Sequence, residues 1–576
     1  MTPEVKRRQT AIPEALKRTT LSPLLQRVYA NRGITSAEEL NLGLSGLLPP
    51  SALKGAADAA GLLADAIEGE ARVVVVGDFD ADGATSSALA VGVLRQMGLR
   101  DISYLVPNRF EFGYGLSPEI VSLAAEREPD LIVTVDNGIS SHAGVATAQG
   151  LGISVLITDH HLPGDDLPPA DVIVNPNQPG CHFPSKCLAG VGVMFYVLTA
   201  LRAELRHRGW FEMTGIEPPN LGDVLDLVAL GTIADVVPLD RNNRILVAAG
   251  LARIRAGRAR PGIEALLEVA GRDPSKITST DLGFLVGPRL NAAGRLEDMS
   301  IGIECLLADN SFAARPLAQQ LHELNLARRD IEAGMQAEAL AQLDHVQLSE
   351  SELPFGLSVY DASFHQGVVG IVASRIRERY HRPTIVFADA GEGELKGSGR
   401  SIEGVHIRDI LDRVAATRPG LIAKFGGHAM AAGLSLERGN YNAFVSAFND
   451  AVAEALHHKP PEPLIETDGE LELGDMQISV ADGLLTAGPW GQQFPAPVFD
   501  GRFTLRNQRL LKDKHLKMTL EASGTVFDAI AFNVDVERWP DPAVSEVGVV
   551  YTLDINEYRG ERRLQLLVSS LWPCSS

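Results

Sequence analysis

Aspartate and histidine gather at three points of the chain, each directly after a short apolar run. Asp78, Asp80 and Asp82 alternate after residues 73–76, Asp136 follows residues 131–135, and Asp159, His160 and His161 follow residues 153–158. Five carboxylates and two imidazoles brought together repel one another and lose hydration unless cations neutralise them. Hard oxygen donors with imidazole nitrogen, in number enough for two ions, suit a dinuclear Mn²⁺ or Mg²⁺ site. One aspartate after a strand is ordinarily a turn former or a helix N-cap. Acids at three strand ends in series, one with a histidine pair, make that a poor reading of the set.

The elements that must position these groups follow from the pattern. Short β-branched runs separated by helical stretches read as parallel strands buried on both faces, and ligands of such sheets bind outside the carboxyl ends of the strands. All three clusters therefore fall on one edge. The triple-Asp segment reads as a loop before a helix over 84–97, with the next strand at 102–106. Residues 168–176 read as an edge strand, and helices are expected at 189–208 and 223–231. Asp235 is a fourth acid after an apolar element. Two arginines, Arg289 and Arg295, stand among small residues in 282–296, and Arg109 lies in a glycine- and aromatic-rich loop at 107–116 as a candidate phosphate contact.

An alanine-rich stretch over 313–343 reads as a long connecting helix without a strict heptad. Beyond it, strand-like runs at 357–360 and 384–388 open a second α/β unit. Glycine-rich segments carrying Ser398, Arg400 and His428 read there as phosphate-cradling loops. Residues 457–463 have the composition of a linker. From about 466, short alternating runs with turn signals suggest a small β-barrel. Its stretch 502–517 holds Arg502, Arg506, Arg509, Lys512, Lys514 and Lys517, the best candidate for a phosphate-backbone groove.

The 576 residues carry a formal charge of −21. That argues against a generic nucleic-acid binder, an objection that weakens if part of the acid ligates metal. No run reaches the ~18 apolar residues of a membrane span. Lys6, Arg7 and Arg8 are not followed by a signal-peptide core, so a cytoplasmic location is expected. Four cysteines fit a reducing compartment, and Cys181, His182 and Cys187 lack the spacing of a zinc site.

With Asp78-x-Asp80-x-Asp82, Asp136, Asp159-His160-His161 and Asp235 in that order, the sequence resembles the DHH phosphoesterase superfamily. The later Gly397-Ser398-Gly399-Arg400-Ser401 and Gly426-Gly427-His428 look like the motifs of its associated DHHA1 domain. With the length, residues 364–375 and the C-terminal β unit, it is most similar to the superfamily's bacterial exonuclease branch specific for single-stranded DNA. The resemblance implies an α/β fold. It would comprise an N-terminal helical extension (1–50), a parallel-sheet DHH catalytic domain (51–310), a connecting helix (311–349), a DHHA1-like substrate-binding domain (350–459) and an OB-like single-strand-binding barrel (464–576).

It also implies 5′→3′ hydrolysis of single-stranded DNA to 5′-mononucleotides, dependent on two divalent ions, Mn²⁺ preferred and Mg²⁺ possible. Asp80, Asp82, Asp136, His160 and Asp235 would bind them, Asp136 bridging and Asp78 supporting or joining. By the same resemblance His161 would face the scissile phosphate and either Arg289 or Arg295 would neutralise the transferred phosphoryl group. Arg109, Ser398 and Arg400 would contact the 5′-end phosphate, and His428 the substrate. A single-strand-binding protein and a RecQ-type helicase are the partners that family analogy implies. A haloacid-dehalogenase-type phosphatase would also place Asp-x-Asp after a first strand, but has no use for the histidine pair. Smaller DHH relatives that cleave short oligonucleotides or cyclic dinucleotides lack the third domain. A non-catalytic single-strand binder leaves the acidic strand ends without purpose.

Overall fold

The structure is a computed structural model that describes residues 4–107, 115–344, 353–558 and 560–574. The chain forms two compact units, one made of residues 4–322 together with 465–576, the other of residues 323–464.

In the first unit five parallel strands form the central sheet: β1 (Val73–Gly77), β2 (Ile102–Leu105), β3 (Leu131–Val135), β4 (Ser154–Thr158) and β5 (Val172–Val174). Their order is β2-β1-β3-β4-β5. Strands β1 and β3 are buried at every position, as near-continuous apolar runs covered on both faces must be. The chain leaves β1 for β2 on one side and returns to β3 on the other. The gap between the ends of β1 and β3 is thus the topological switch point, where open α/β sheets bind ligands.

Four helices matter to that edge: α1 (Ala81–Gln96), α2 (Gly190–His207), α3 (Leu225–Ala234) and α4 (Gly287–Leu296). α1 begins three residues earlier than its composition predicts. The triple-Asp segment is therefore a connection only as far as Asp80, which is the N-cap, its Oδ1 accepting the Gly83 N–H at 3.0 Å, while Asp82 lies in the first turn. A capping aspartate supplies the acceptor that the first-turn N–H groups lack.

The same unit contains a closed barrel of β11–β15 (Phe499–Leu511, His515–Ala522, Thr525–Ala531, Glu546–Tyr558 and Glu561–Pro573) in the order β11-β12-β13-β15-β14. The N-terminal segment packs on the barrel's lead-in. Arg32, with a side chain 1 % exposed, pairs with the fully buried Asp468 at 2.9 Å, and Arg7 pairs with Asp500 at 2.6 Å.

The helix α5 (Ser311–Asp344) carries the chain into the second unit. That unit holds five strands, β6 (Leu357–Tyr360), β7 (Thr384–Gly391), β8 (Glu394–Arg400), β9 (Lys424–Gly427) and β10 (Ala431–Glu437), in the order β9-β10-β8-β7-β6. Here the two glycine-rich segments expected as loops are β8 and β9. The backbone of β8 pairs with strands on both sides, as the pairing of Gly399 with both Ile385 and Ala432 illustrates, whereas β9 is an edge strand paired with β10 alone. Glycine is needed at 397 for packing: a Cβ there would lie 2.5 Å from the Phe387 ring.

Candidate active site

The ends of β1, β3 and β4 bring the predicted acids and histidines together. Three sets of ligand atoms each lie within 4.8 Å: Asp78, Asp80 and Asp136; Asp136, His160 and His161; and Asp82, His160 and Asp235. Asp136 belongs to two of these sets and His160 to two. His160 Nε2 is 3.1 Å from Asp136 Oδ1 and 3.4 Å from Asp235 Oδ2. Both His160 Nε2 and Asp235 Oδ2 are buried without a hydrogen bond. An imidazole nitrogen and carboxylate oxygens converging in a dry site, with polar atoms left unsatisfied, fit a divalent cation.

Local backbone chemistry aims these groups. Asp136 stands at φ +63° directly after β3, a left-handed conformation that non-glycine residues adopt mainly at special sites and that aspartate tolerates better than most. The Asn137 amide donates to the carbonyls of Val76 and Val135, tying the ends of β1 and β3 together. Gly190, the first residue of α2, has no room for a side chain: a Cβ there would lie 2.6 Å from the Cβ of Asp136. Asp82 Oδ2 and Oδ1 accept the Gly190 and Val191 N–H groups at 2.6 and 3.0 Å. This aspartate thus serves the positive end of α2 as well as the cluster.

Asp159 positions the histidine pair. Its Oδ1 accepts the backbone N–H of His160 at 2.7 Å and faces His161 Nδ1 at 2.8 Å, while Oδ2 accepts the Ile139 N–H at 2.9 Å. The side-chain amides of Asn175 and Asn177 donate to the carbonyls of His161 and His160. Sequence reasoning misses these two asparagines, although the Asn175-Pro176-Asn177 run directly follows the strand β5 beside the histidines.

Electrostatics follow from burial. Desolvation, and after it repulsion from Asp80, lifts the Asp82 carboxyl to about 7. Desolvation and the neighbouring aspartates push Asp136 and Asp235 well above the ordinary carboxylate range. Burial and the neighbouring His161 lower His160 to about 4, leaving the neutral imidazole that metal ligation requires. Burial also disfavours a charged His161, but the hydrogen bond and charge of Asp159, with Asp78 and Asp80, outweigh it and raise this ring.

The two arginines of α4 differ. Arg289 is 7 % exposed, with Nε donating to His322 and a terminal nitrogen to the Leu285 carbonyl at 2.6 Å. Arg295 is half-buried in the last turn, one residue after Gly294, where a Cβ would meet the Phe79 carbonyl at 1.8 Å. Asn291 accepts the Ala81 N–H at 2.7 Å. The small residues noted in the sequence thus let α4 lie directly on the triple-Asp segment.

In the second unit Arg400 donates to Ser398 Oγ at 3.0 Å and to the Gly399 carbonyl at 2.8 Å. Among the described residues no carboxylate forms an ion pair with it, and burial followed by the charge of Arg377 lowers its pKa. His428 stands in the turn between β9 and β10, its N–H donating to the Ala431 carbonyl. Arg109 lies outside the described residues.

On the barrel, two of the six basic residues are paired at home, Arg506 with Glu521 and Lys517 with Asp528. Arg502, Arg509, Lys512 and Lys514 are exposed and make no ion pair among the described residues. Arg509 is directly opposite Lys517 across β11 and β12. Facing like charges weaken a hairpin, so a partner polyanion gives that pairing a use.

Three family models match the chain: the DHH family N-terminal domain at residues 72–232, the DHHA1 domain at 354–454 and the RecJ OB domain at 467–570. The single-stranded-DNA-specific exonuclease RecJ of Salmonella typhimurium is 56% identical over 569 residues, covering 98% of this chain and 99% of that protein. The RecJ of Escherichia coli is 56% identical over 555 residues, covering 96% of each. The crystal structure of RecJ from Thermus thermophilus in complex with Mn²⁺ superposes with a TM-score of 0.80 at 31% identity, covering all of this chain and 81% of that one.

Proposed function

The chain belongs to the RecJ family of single-stranded-DNA-specific exonucleases, and on that premise we propose that it hydrolyses single-stranded DNA from the 5′ end to 5′-mononucleotides, in DNA repair and recombination. The observation that carries the reading is the three donor sets that share Asp136 and His160. Two bound divalent ions, Mn²⁺ favoured over Mg²⁺ by the imidazole donor, would supply an activated water and Lewis acidity at both oxygens of an in-line displacement.

Asp78, Asp80 and Asp136 would hold one ion and Asp82, Asp235 and His160 the other, with Asp136 as the shared ligand. His161, its Nδ1 on Asp159, presents Nε2–H to a non-bridging oxygen of the scissile phosphate and stabilises the charge that develops there. Arg295, the less buried of the two arginines of α4, neutralises the transferred phosphoryl group, while Arg289 holds His322 and the Leu285 carbonyl.

Ser398 and Arg400 take the terminal 5′-phosphate: a guanidinium desolvated without a carboxylate partner suits an anion held by two charge-assisted hydrogen bonds, and Arg109 is proposed separately as a phosphate contact. His428 touches the strand. Arg502, Arg509, Lys512 and Lys514 lead the phosphate contacts of the barrel, which Arg506 and Lys517 join by exchanging their own acids for DNA. No described helix is long and apolar enough to cross a membrane. We place the enzyme in the cytoplasm, with a single-strand-binding protein and a RecQ-type helicase as its partners by family analogy. A DHH phosphodiesterase for short oligonucleotides would have no use for the charged barrel hairpin.

Titrating chelated protein with Mn²⁺ under equilibrium dialysis checks the centre. Two ions per chain are expected, with nuclease activity appearing as the second binds. Full activity at one ion per chain contradicts the assignment.

A further inference from the structure

Arg244, in the helix Arg241–Arg255, is 4 % exposed. Its guanidinium carbon lies 4.3 Å from the centre of the Phe494 ring, and its buried Nε makes no hydrogen bond. Among the described residues no carboxylate forms an ion pair with it. Glu39 and Asp240 favour its charge from a distance, but both are engaged elsewhere. Glu39 accepts from Thr35 and Ser36, and Asp240 accepts the Asn243 N–H. Arg241 adds repulsion. A desolvated cation held by an aromatic face without a carboxylate on it is costly, and proteins rarely keep one without a use.

The guanidinium borders a cavity of about 190 Å³ whose other walls include Tyr29, Leu40, Leu42, Ala487 and Phe494. The Tyr29 hydroxyl is spent on the Ala487 carbonyl at 2.8 Å. Thr486 and the backbone of Gly488 complete the lining, and the Thr486 hydroxyl donates to the carbonyls of Asp482 and Gly483, so Arg244 is the cation of a cavity whose remaining side chains are aliphatic, aromatic or already hydrogen-bonded. A dry cavity of roughly 150 Å³ accepts benzene, so this one has room for a ring with a short arm.

We propose that this cavity binds a small carboxylate with an apolar, ring-sized body, its two oxygens facing the Arg244 fork. Arginine matches a carboxylate through two parallel hydrogen bonds. One buried positive charge balances a carboxylate, whereas a phosphate dianion would keep an uncompensated charge. The walls come from the N-terminal segment, the helix that follows Asp235 and the lead-in to the barrel, so the ligand would join all three.

The probe is 3-phenylpropanoate at millimolar concentration, followed by thermal unfolding and calorimetric titration of the full chain. Wild-type protein should gain a few degrees in midpoint, and 3-phenylpropanol, inorganic phosphate and dAMP should give no comparable gain. Arg244→Met should raise the dissociation constant at least tenfold while leaving the nuclease rate unchanged. Ala487→Leu keeps the arginine but fills the cavity, so it should abolish binding too, and it carries the test if Arg244→Met does not fold. Three results overturn the proposal: no effect of the probe on wild-type protein, equal binding by either variant, or an equal gain with phosphate or dAMP.

Discussion

Asp136 combines three demands that no other residue at the site carries together: left-handed backbone, burial and membership of two donor sets. Asparagine tolerates the same backbone region but removes the charge. Asp136→Asn should therefore fold normally and lose at least about a thousandfold in nuclease rate, because a bridging ligand has no substitute; metal content and circular dichroism check it. A second expectation concerns pH. Asp82 titrates at about 7, against an ordinary 3.8, and Asp136 and Asp235 are raised well above the same value. Between these limits the folded metal-free protein binds more protons than the unfolded chain. Its stability from these groups is therefore present below about pH 4 and declines as pH rises toward 7. Thermal unfolding with chelator should weaken over that range, and the gain on adding Mn²⁺ should be larger at pH 7.5 than at pH 5. The alternating aspartates and the histidine pair are legible in the sequence because they are adjacent in the chain. The capping of Gly190 by Asp82 is not, since it joins residues 108 positions apart.

Elements are legible where hydrophobic period and length agree, as in the buried runs of β1 and β3. The pattern misleads where glycine reads as a turn signal. Gly397 and Gly399 lie inside β8, where the reason for glycine is the packing of Phe387, Ile385 and Ile407 against the sheet, a tertiary fact absent from local pattern. The same physics fixes α4 on the triple-Asp segment. Gly294→Ala would drive a methyl group into the Phe79 carbonyl. An overpacked interface of that kind costs about 1–3 kcal/mol. The variant should show that destabilisation in denaturant unfolding, together with weaker Mn²⁺ binding. A rate and stability both equal to wild type would mean that α4 does not set the aspartate geometry.

For the whole molecule, residues 457–463, read as a linker, stand just before the boundary between the two compact units; residues 465–576 share one unit with residues 4–322, and the buried Arg32–Asp468 pair lies within it. Removing the chain after Pro463 would strand Arg32, so the barrel is better tested by its surface charges. Reversing Arg502, Arg509, Lys512 and Lys514 to glutamate should lower affinity for long single strands and flatten its salt dependence by roughly 0.7 logarithmic units for each phosphate the barrel no longer neutralises. Hydrolysis of very short strands should change little. The central claim joins the metal-ligand cluster to one end of the strand, and one measurement reaches it directly. A single-stranded DNA labelled at both ends, incubated with the enzyme and Mn²⁺, should release its 5′ label at once as a mononucleotide while the 3′ label stays on steadily shortening fragments. Release of the 3′ label first, or internal fragments from a circular strand, would contradict the account.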